Sequence, residues 1–165
     1  MFRSKLFTVL TVILFVFGIA MIDCAVAGEK IKLHGTGVTT KWQQMEVGDE
    51  EGHVIAINES KQVYFNENTG EKFVSVTHST FDINLKTGQG NLKGYGVSTY
   101  ANGDTNFRTH EGKPVGKGHW KGTWTLIKGT GKYEGAKGGG TWESKSLAPR
   151  IYYYEVESEI EFSGQ

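Results

Sequence analysis

Gly129-Thr-Gly-Lys-Tyr-Glu-Gly-Ala-Lys-Gly-Gly-Gly-Thr-Trp142 places six glycines within fourteen residues. Glycine at that density costs backbone entropy and is expected where the chain needs positive φ or close backbone approach. On either side lie Gly118–Lys128 and Gly139–Leu147, and the first of these alternates strictly. Trp120, Gly122, Trp124 and Leu126 fall on one face; Lys121, Thr123 and Thr125 fall on the other. A period of two is the signature of a half-buried strand. The glycine run therefore reads as a reversal between two strands. Tyr133, its one large ring, is positioned to plug the end of whatever the strands enclose.

Working outward, the same period recurs. Tyr152, Tyr154, Val156, Ser158, Ile160 and Phe162 share one face of Arg150–Phe162, and Tyr153, Glu155, Glu157, Glu159 and Glu161 share the other. The glutamates could suggest calcium, but a carboxylate row alternating with apolar residues is a solvated outer face; calcium sites draw on loop carbonyls as well. Further strands are expected at Ile31–Val47, His53–Phe65, Lys72–Lys86, Gly90–Tyr100 and Asp104–His110. The breaks carry turn chemistry: Gly48–Gly52, Asn66–Gly70, Thr87–Gly90, and an Asn102-Gly103 hairpin. Glu111–Gly118, with Pro114, reads as a further break, and Ala148-Pro149 as the last. In Lys72–Lys86 the pattern changes phase between Val74/Val76 and Phe81/Ile83/Leu85, so a β-bulge is expected near Ser79.

Eight short-linked strands in one small domain make an all-β protein, expected as an eight-stranded antiparallel up-and-down barrel, with a β-sandwich as the alternative. Closure favours the barrel because it removes long exposed edges. Inward glycines at 94, 96 and 122 would let the strands coil tightly.

The N-terminus reads differently. Arg3 and Lys5 precede an uncharged apolar run, Leu6–Ile22, and Ala25-Val-Ala27 is a small-x-small cleavage site. This is the layout of a secretory signal peptide, as opposed to an uncleaved anchor or a lipoprotein site at Cys24. Residues 1–27 are thus expected to be removed after Ala27, leaving residues 28–165 as a single barrel domain that is secreted or periplasmic. Cys24 is the only cysteine, so that domain would be held by packing and strand pairing alone. The chain has eighteen basic and eighteen acidic residues. Such a balance offers no basic surface for nucleic acid and no acidic tail.

The glycine-rich stretch, following Gly122-Thr-Trp-Thr-Leu126, resembles the allene oxide cyclase/dirigent barrel superfamily, in particular its bacterial secreted members of unknown function. The resemblance covers Trp120–Phe162 and implies an eight-stranded barrel with a central cavity, and a homo-oligomer as in many relatives. It transfers no catalytic residue, because no motif aligns a catalytic carboxylate or asparagine with a position here. Gly94–Asp104 is similar to one MORN repeat, but a single copy cannot build a solenoid. Phosphate-binding patterns fail on spacing: Gly129-x-Gly131-x-x-x-Gly135 is not the dinucleotide fingerprint, and no Gly-Lys-Ser/Thr follows.

Candidate chemistry is sparse. There is no G-x-S-x-G elbow and no cysteine nucleophile beyond the leader. The histidines His34, His53, His78, His110 and His119 form no tight metal pair, so neither a metal nor a cofactor is expected. His78, mid-strand on the Val74/Val76 face, is the candidate catalytic acid or base if that face lines the lumen. Trp120, Trp124, Tyr152 and Tyr154 are the candidate ligand-binding residues, on the inner face of two strands. The functional expectation is a barrel that binds a small hydrophobic or aromatic ligand, with no nucleic acid and no membrane partner after leader cleavage. Two alternatives stay open: a cyclase- or isomerase-type enzyme with acid–base residues in the lumen, and a structural or interaction module whose lumen is filled.

Overall fold

The computed structural model describes residues 28–163; the expected signal peptide lies outside them. Eight strands run in chain order: β1 Glu29–Glu46, β2 His53–Asn66, β3 Lys72–Asn84, β4 Gly90–Tyr100, β5 Thr105–Gly116, β6 His119–Gly129, β7 Lys137–Ala148 and β8 Ile151–Glu161. Each pairs antiparallel with the next, and β8 returns to β1 from Glu29↔Ile160 to Val38↔Ile151. The result is a closed up-and-down barrel, and the sandwich alternative falls away.

Hairpin chemistry follows the sequence closely. Asn66 and Asn84 open two turns with the same pattern, Asn-x-x-Thr-Gly. Each asparagine Oδ1 accepts hydrogen bonds from the backbone N–H groups two and three residues on: Asn68 and Thr69 in one turn, Lys86 and Thr87 in the other. The glycines that close them, Gly70 and Gly88, have φ of 72° and 70°, a region that suits glycine.

Two ends result. The β2–β3, β4–β5 and β6–β7 connections, with residues 28 and 162, lie at one end. There a 3-10 turn at Gly131–Tyr133 carries Tyr133 inward to 2% exposure. Its ring stacks on Tyr100 at 4.8 Å and packs against Phe162 at 5.5 Å. Tyr100, Phe73 and Tyr64 continue the aromatic chain across the lumen, and Ile31, Trp124, Leu126, Val156 and Ile160 complete the cluster. This end is a packed floor that leaves a pocket of only about 40 Å³, with Tyr133 as its plug. The other four hairpins surround an open mouth.

Bulges tune which side chains enter. In β1 the pairing shifts between Thr39 and Lys41. The extra residue moves the inward parity from Thr39 to Trp42, which brings an indole to the mouth. The bulge expected near Ser79 is absent: β3 pairs without interruption on both sides. Phe73, Ser75, Thr77, Ser79, Phe81 and Ile83 form its inward row. Val74 and Val76 therefore stand outside. β5 also runs further than expected, through Pro114 to Gly116. Beyond Gly112 it pairs only with β6, so the missing N–H of Pro114 falls at an edge position, where proline is tolerated.

Candidate functional site

Above the floor the inward rows turn polar. Thr39 and Ser60 share a hydrogen bond at 3.0 Å, Gln62 Nε2 donates to Thr77 Oγ1 at 2.8 Å, and Ser79 Oγ meets His110 Nε2 at 2.8 Å. Arg108 reaches across from β5. Its Nη1 donates to Ser98 Oγ and its Nη2 to Ser75 Oγ, both at 2.7 Å. Above this belt the wall is aromatic and aliphatic again, with Trp42, Phe81, Ile83, Leu85, Trp120, Trp142 and Tyr152. Together the belt and the rim enclose a cavity of about 440 Å³, within the size range of small-molecule sites.

The two inward glycines of β4 have a specific reason to be glycine. A Cβ on Gly96 would lie 2.8 Å from Arg108 Cζ, and one on Gly94 would lie 2.6 Å from His110 Nε2. Those positions leave the space in which the guanidinium and the imidazole lie against the wall. Gly122 plays the same part under Trp142, whose Cζ2 would stand 2.6 Å from an added Cβ. Trp142 is further fixed by its Nε1–H donating to the Thr123 carbonyl at 3.1 Å.

Burial sets the electrostatics. It lowers His110 from its ordinary value to about 4, with the charge of Arg108 adding to the effect, so the imidazole is neutral at physiological pH. Burial likewise draws the Arg108 pKa down, although a guanidinium stays protonated. It raises Tyr154 and, on the floor, Tyr100, the latter to about 12. Several fully buried polar atoms have no hydrogen-bond partner among the described residues: Asn58 Oδ1, Gln62 Oε1 and His110 Nδ1 beside the belt, and Asn106 Oδ1 and Trp124 Nε1 toward the floor.

Of the ligand-binding candidates, Trp120, Tyr152 and Tyr154 line the cavity. Trp124 also faces inward, but it sits in the floor cluster below the cavity. His78 is on the outer wall, its side chain 65% exposed and its Nε2 3.5 Å from Glu59 Oε2. The cause is the uninterrupted register of β3, which keeps the Val74 face outside. Apart from tyrosines, the cavity's ionisable groups are instead Arg108 and His110, with Arg150 at the mouth. Arg108, Trp42, Phe81 and Trp142 were missed as lining residues. A β1 bulge places Trp42, and β5 carries polar residues on both faces, so hydropathy gives no inner face for Arg108. For His110, the signal available was its parity with Arg108 in one strand.

Among the described residues one group has metal-ligand proximity, Asp49, Glu50 and His53 at the first hairpin. Both ring nitrogens of His53 are already engaged, Nδ1 by Asp49 at 2.7 Å and Nε2 by Asp82 at 2.8 Å. That arrangement explains the cluster as an ion-pair clamp on the hairpin.

No protein-family profile matches the sequence, and no curated protein matches it. Solved structures do match by shape. One is a pterocarpan synthase dirigent protein, with a TM-score of 0.52, 7% identity, and coverage of 83% of this chain and 96% of that one. Another pterocarpan synthase dirigent protein aligns at a TM-score of 0.49 and 10% identity over 82% of this chain and 90% of its own. The chain thus has the allene oxide cyclase/dirigent-like barrel fold. At this identity the likeness is one of fold.

Proposed function

We propose that this protein is a secreted or periplasmic barrel that holds a small, largely apolar or aromatic molecule in its lumen, without turning it over. The observation that carries the reading is the half-filled lumen: a packed aromatic floor at one end and a cavity of about 440 Å³ walled by Trp42, Phe81, Trp120, Trp142 and Tyr152 at the other. An eight-stranded barrel has just enough room to be filled by its own side chains or to hold one small ligand. A purely structural module would be expected to fill both ends.

The test is a panel of aromatic and aliphatic small molecules, read by tryptophan fluorescence and melting temperature. A binder at a hundredfold excess over its Kd adds about 2.7 kcal/mol of stability, a shift of several degrees. Trp120→Ala with Tyr154→Ala should abolish both signals while the far-ultraviolet spectrum stays that of a β-protein. A panel in which no compound moves either signal contradicts the proposal.

A second reading, an isomerase or cyclase, rests on one observation: a neutral, buried His110 hydrogen-bonded to Ser79. In that reading His110 takes the acid–base part first sought at His78. Recovery of a bound compound chemically altered, with loss of the change in His110→Gln, would favour it. We also propose that the barrel forms a homo-oligomer, which light scattering tests.

A further inference from the structure

We propose that the lumen's guest is an amphipathic monocarboxylate whose acid group docks on Arg108, with its apolar body lying toward the aromatic mouth. The inference rests on the lumen being a ligand site and names the ligand's chemical class.

Arg108 sits at the boundary between the floor and the cavity. The Ser75 and Ser98 hydroxyls that hold its two Nη atoms are each only 1% exposed. Ser75 Oγ donates onward to the Val97 carbonyl at 3.1 Å, so its position is fixed independently of the arginine. These serines satisfy two of the five guanidinium N–H groups and set the plane of the fork. They carry no charge to balance it.

Nothing else in the cavity does so. The ionisable groups of its wall are Arg108, Arg150, His110, Tyr64, Tyr152 and Tyr154, with no aspartate or glutamate. His110 is neutral, and burial holds Tyr64 and Tyr154 in their neutral phenol form. Among the described residues Arg108 makes no salt bridge. Glu59, Glu111, Glu143 and Glu155 belong to the outer face, and Glu71, which borders a small floor pocket together with Arg108, is paired with Lys132. Glu59 and Glu143 are paired there with lysines.

A buried cation without a counter-charge is costly, and proteins normally pair it. Here the wall shields Arg108 from bulk water while its side chain borders the cavity. A carboxylate offers two oxygens in the geometry that a guanidinium fork matches. Gly96 secures the pose from behind, because any side chain there would displace the guanidinium. Above Arg108 the wall passes through Tyr154 and Thr77 to Phe81, Trp120 and Trp142, an apolar channel suited to an aromatic or aliphatic body.

The test compares 2-naphthylacetate with 2-naphthylacetamide, a neutral isostere, by calorimetric titration of the barrel. Charge-assisted hydrogen bonds contribute about 1.5–3 kcal/mol, so the acid should bind the wild type about tenfold or more tightly than the amide. Arg108→Met should erase that preference by weakening the acid and leaving the amide unchanged. Trp120→Ala should weaken both alike. Should Arg108→Met fail to fold, Arg108→Lys decides, since it keeps the charge and loses the fork; the preference should fall but persist. If acid and amide bind the wild type equally, the anionic guest is overturned and the apolar lumen site stands. A preference that survives in folded Arg108→Met overturns the docking on Arg108. If neither compound nor any member of the wider panel binds, both the inference and the function it rests on are overturned.

Discussion

His110 is a titratable group held away from water, and its cost appears as a pH dependence of stability. In the unfolded chain it takes up a proton near its ordinary value of 6.5; in the barrel burial delays that to about 4. A depressed native pKa means that stability is complete above about 6.5 and is lost as pH falls to about 4. The full span is worth about 3 kcal/mol. His53 works in the opposite sense, because hydrogen bonds to Asp82 and Asp49 raise its pKa. Its contribution is complete below the ordinary value and is lost above the raised one. Urea denaturation between pH 7 and 4 should therefore show a fall that His110→Gln removes. Gly96→Ala is the companion test for Arg108. The added methyl would stand 2.8 Å from Cζ, so the guanidinium must leave its two serines, at a cost of about 1–3 kcal/mol in denaturant midpoint experiments.

At the scale of the elements, one short segment closes the barrel. The Gly131–Tyr133 turn carries a ring that touches Tyr100 and Phe162 and seals the floor. Removing it in Tyr133→Ala should cost about 3–5 kcal/mol, read by thermal or urea unfolding, and should open the floor to water. That role was legible in the sequence, because Tyr133 is the one large ring in a run of glycines. So were the inward rows of β6 and β8, where large apolar residues alternate with lysine, threonine and glutamate. The inward rows of β3 and β5 were not. Ser75, Thr77 and Ser79 line the lumen while Val74 and Val76 face outward, which inverts the usual hydropathy. One physical cause accounts for both errors. A polar belt surrounds Arg108 and His110, and a strand crossing it presents its polar residues to the inside. Alternation then points to the wrong face, for His78 as for Arg108.

The whole molecule is a barrel with unequal ends. The floor is packed, the middle is polar, and the mouth is aromatic. Exposed Met45, Val47, Leu85, Val115, Leu147 and Ile151 stand at the strand ends and hairpins around that mouth, so the apolar character continues to the surface. The glycine-rich stretch from Gly129 to Trp142 serves both ends. Its first half makes the floor, and its last residue, Trp142, forms part of the cavity wall. In the proposed function a guest would enter past the indoles and stop at the belt.

The four tryptophans report that path directly. Trp42, Trp120 and Trp142 line the cavity, whereas Trp124 lies in the floor. Titrating 2-naphthylacetate into isotope-labelled protein and following the four indole Nε1–H signals by NMR tests the central claim. The account predicts saturable shifts for Trp42, Trp120 and Trp142, with Trp124 moving least. Unchanged indole signals across the titration, or shifts confined to outer-face amides, would contradict it.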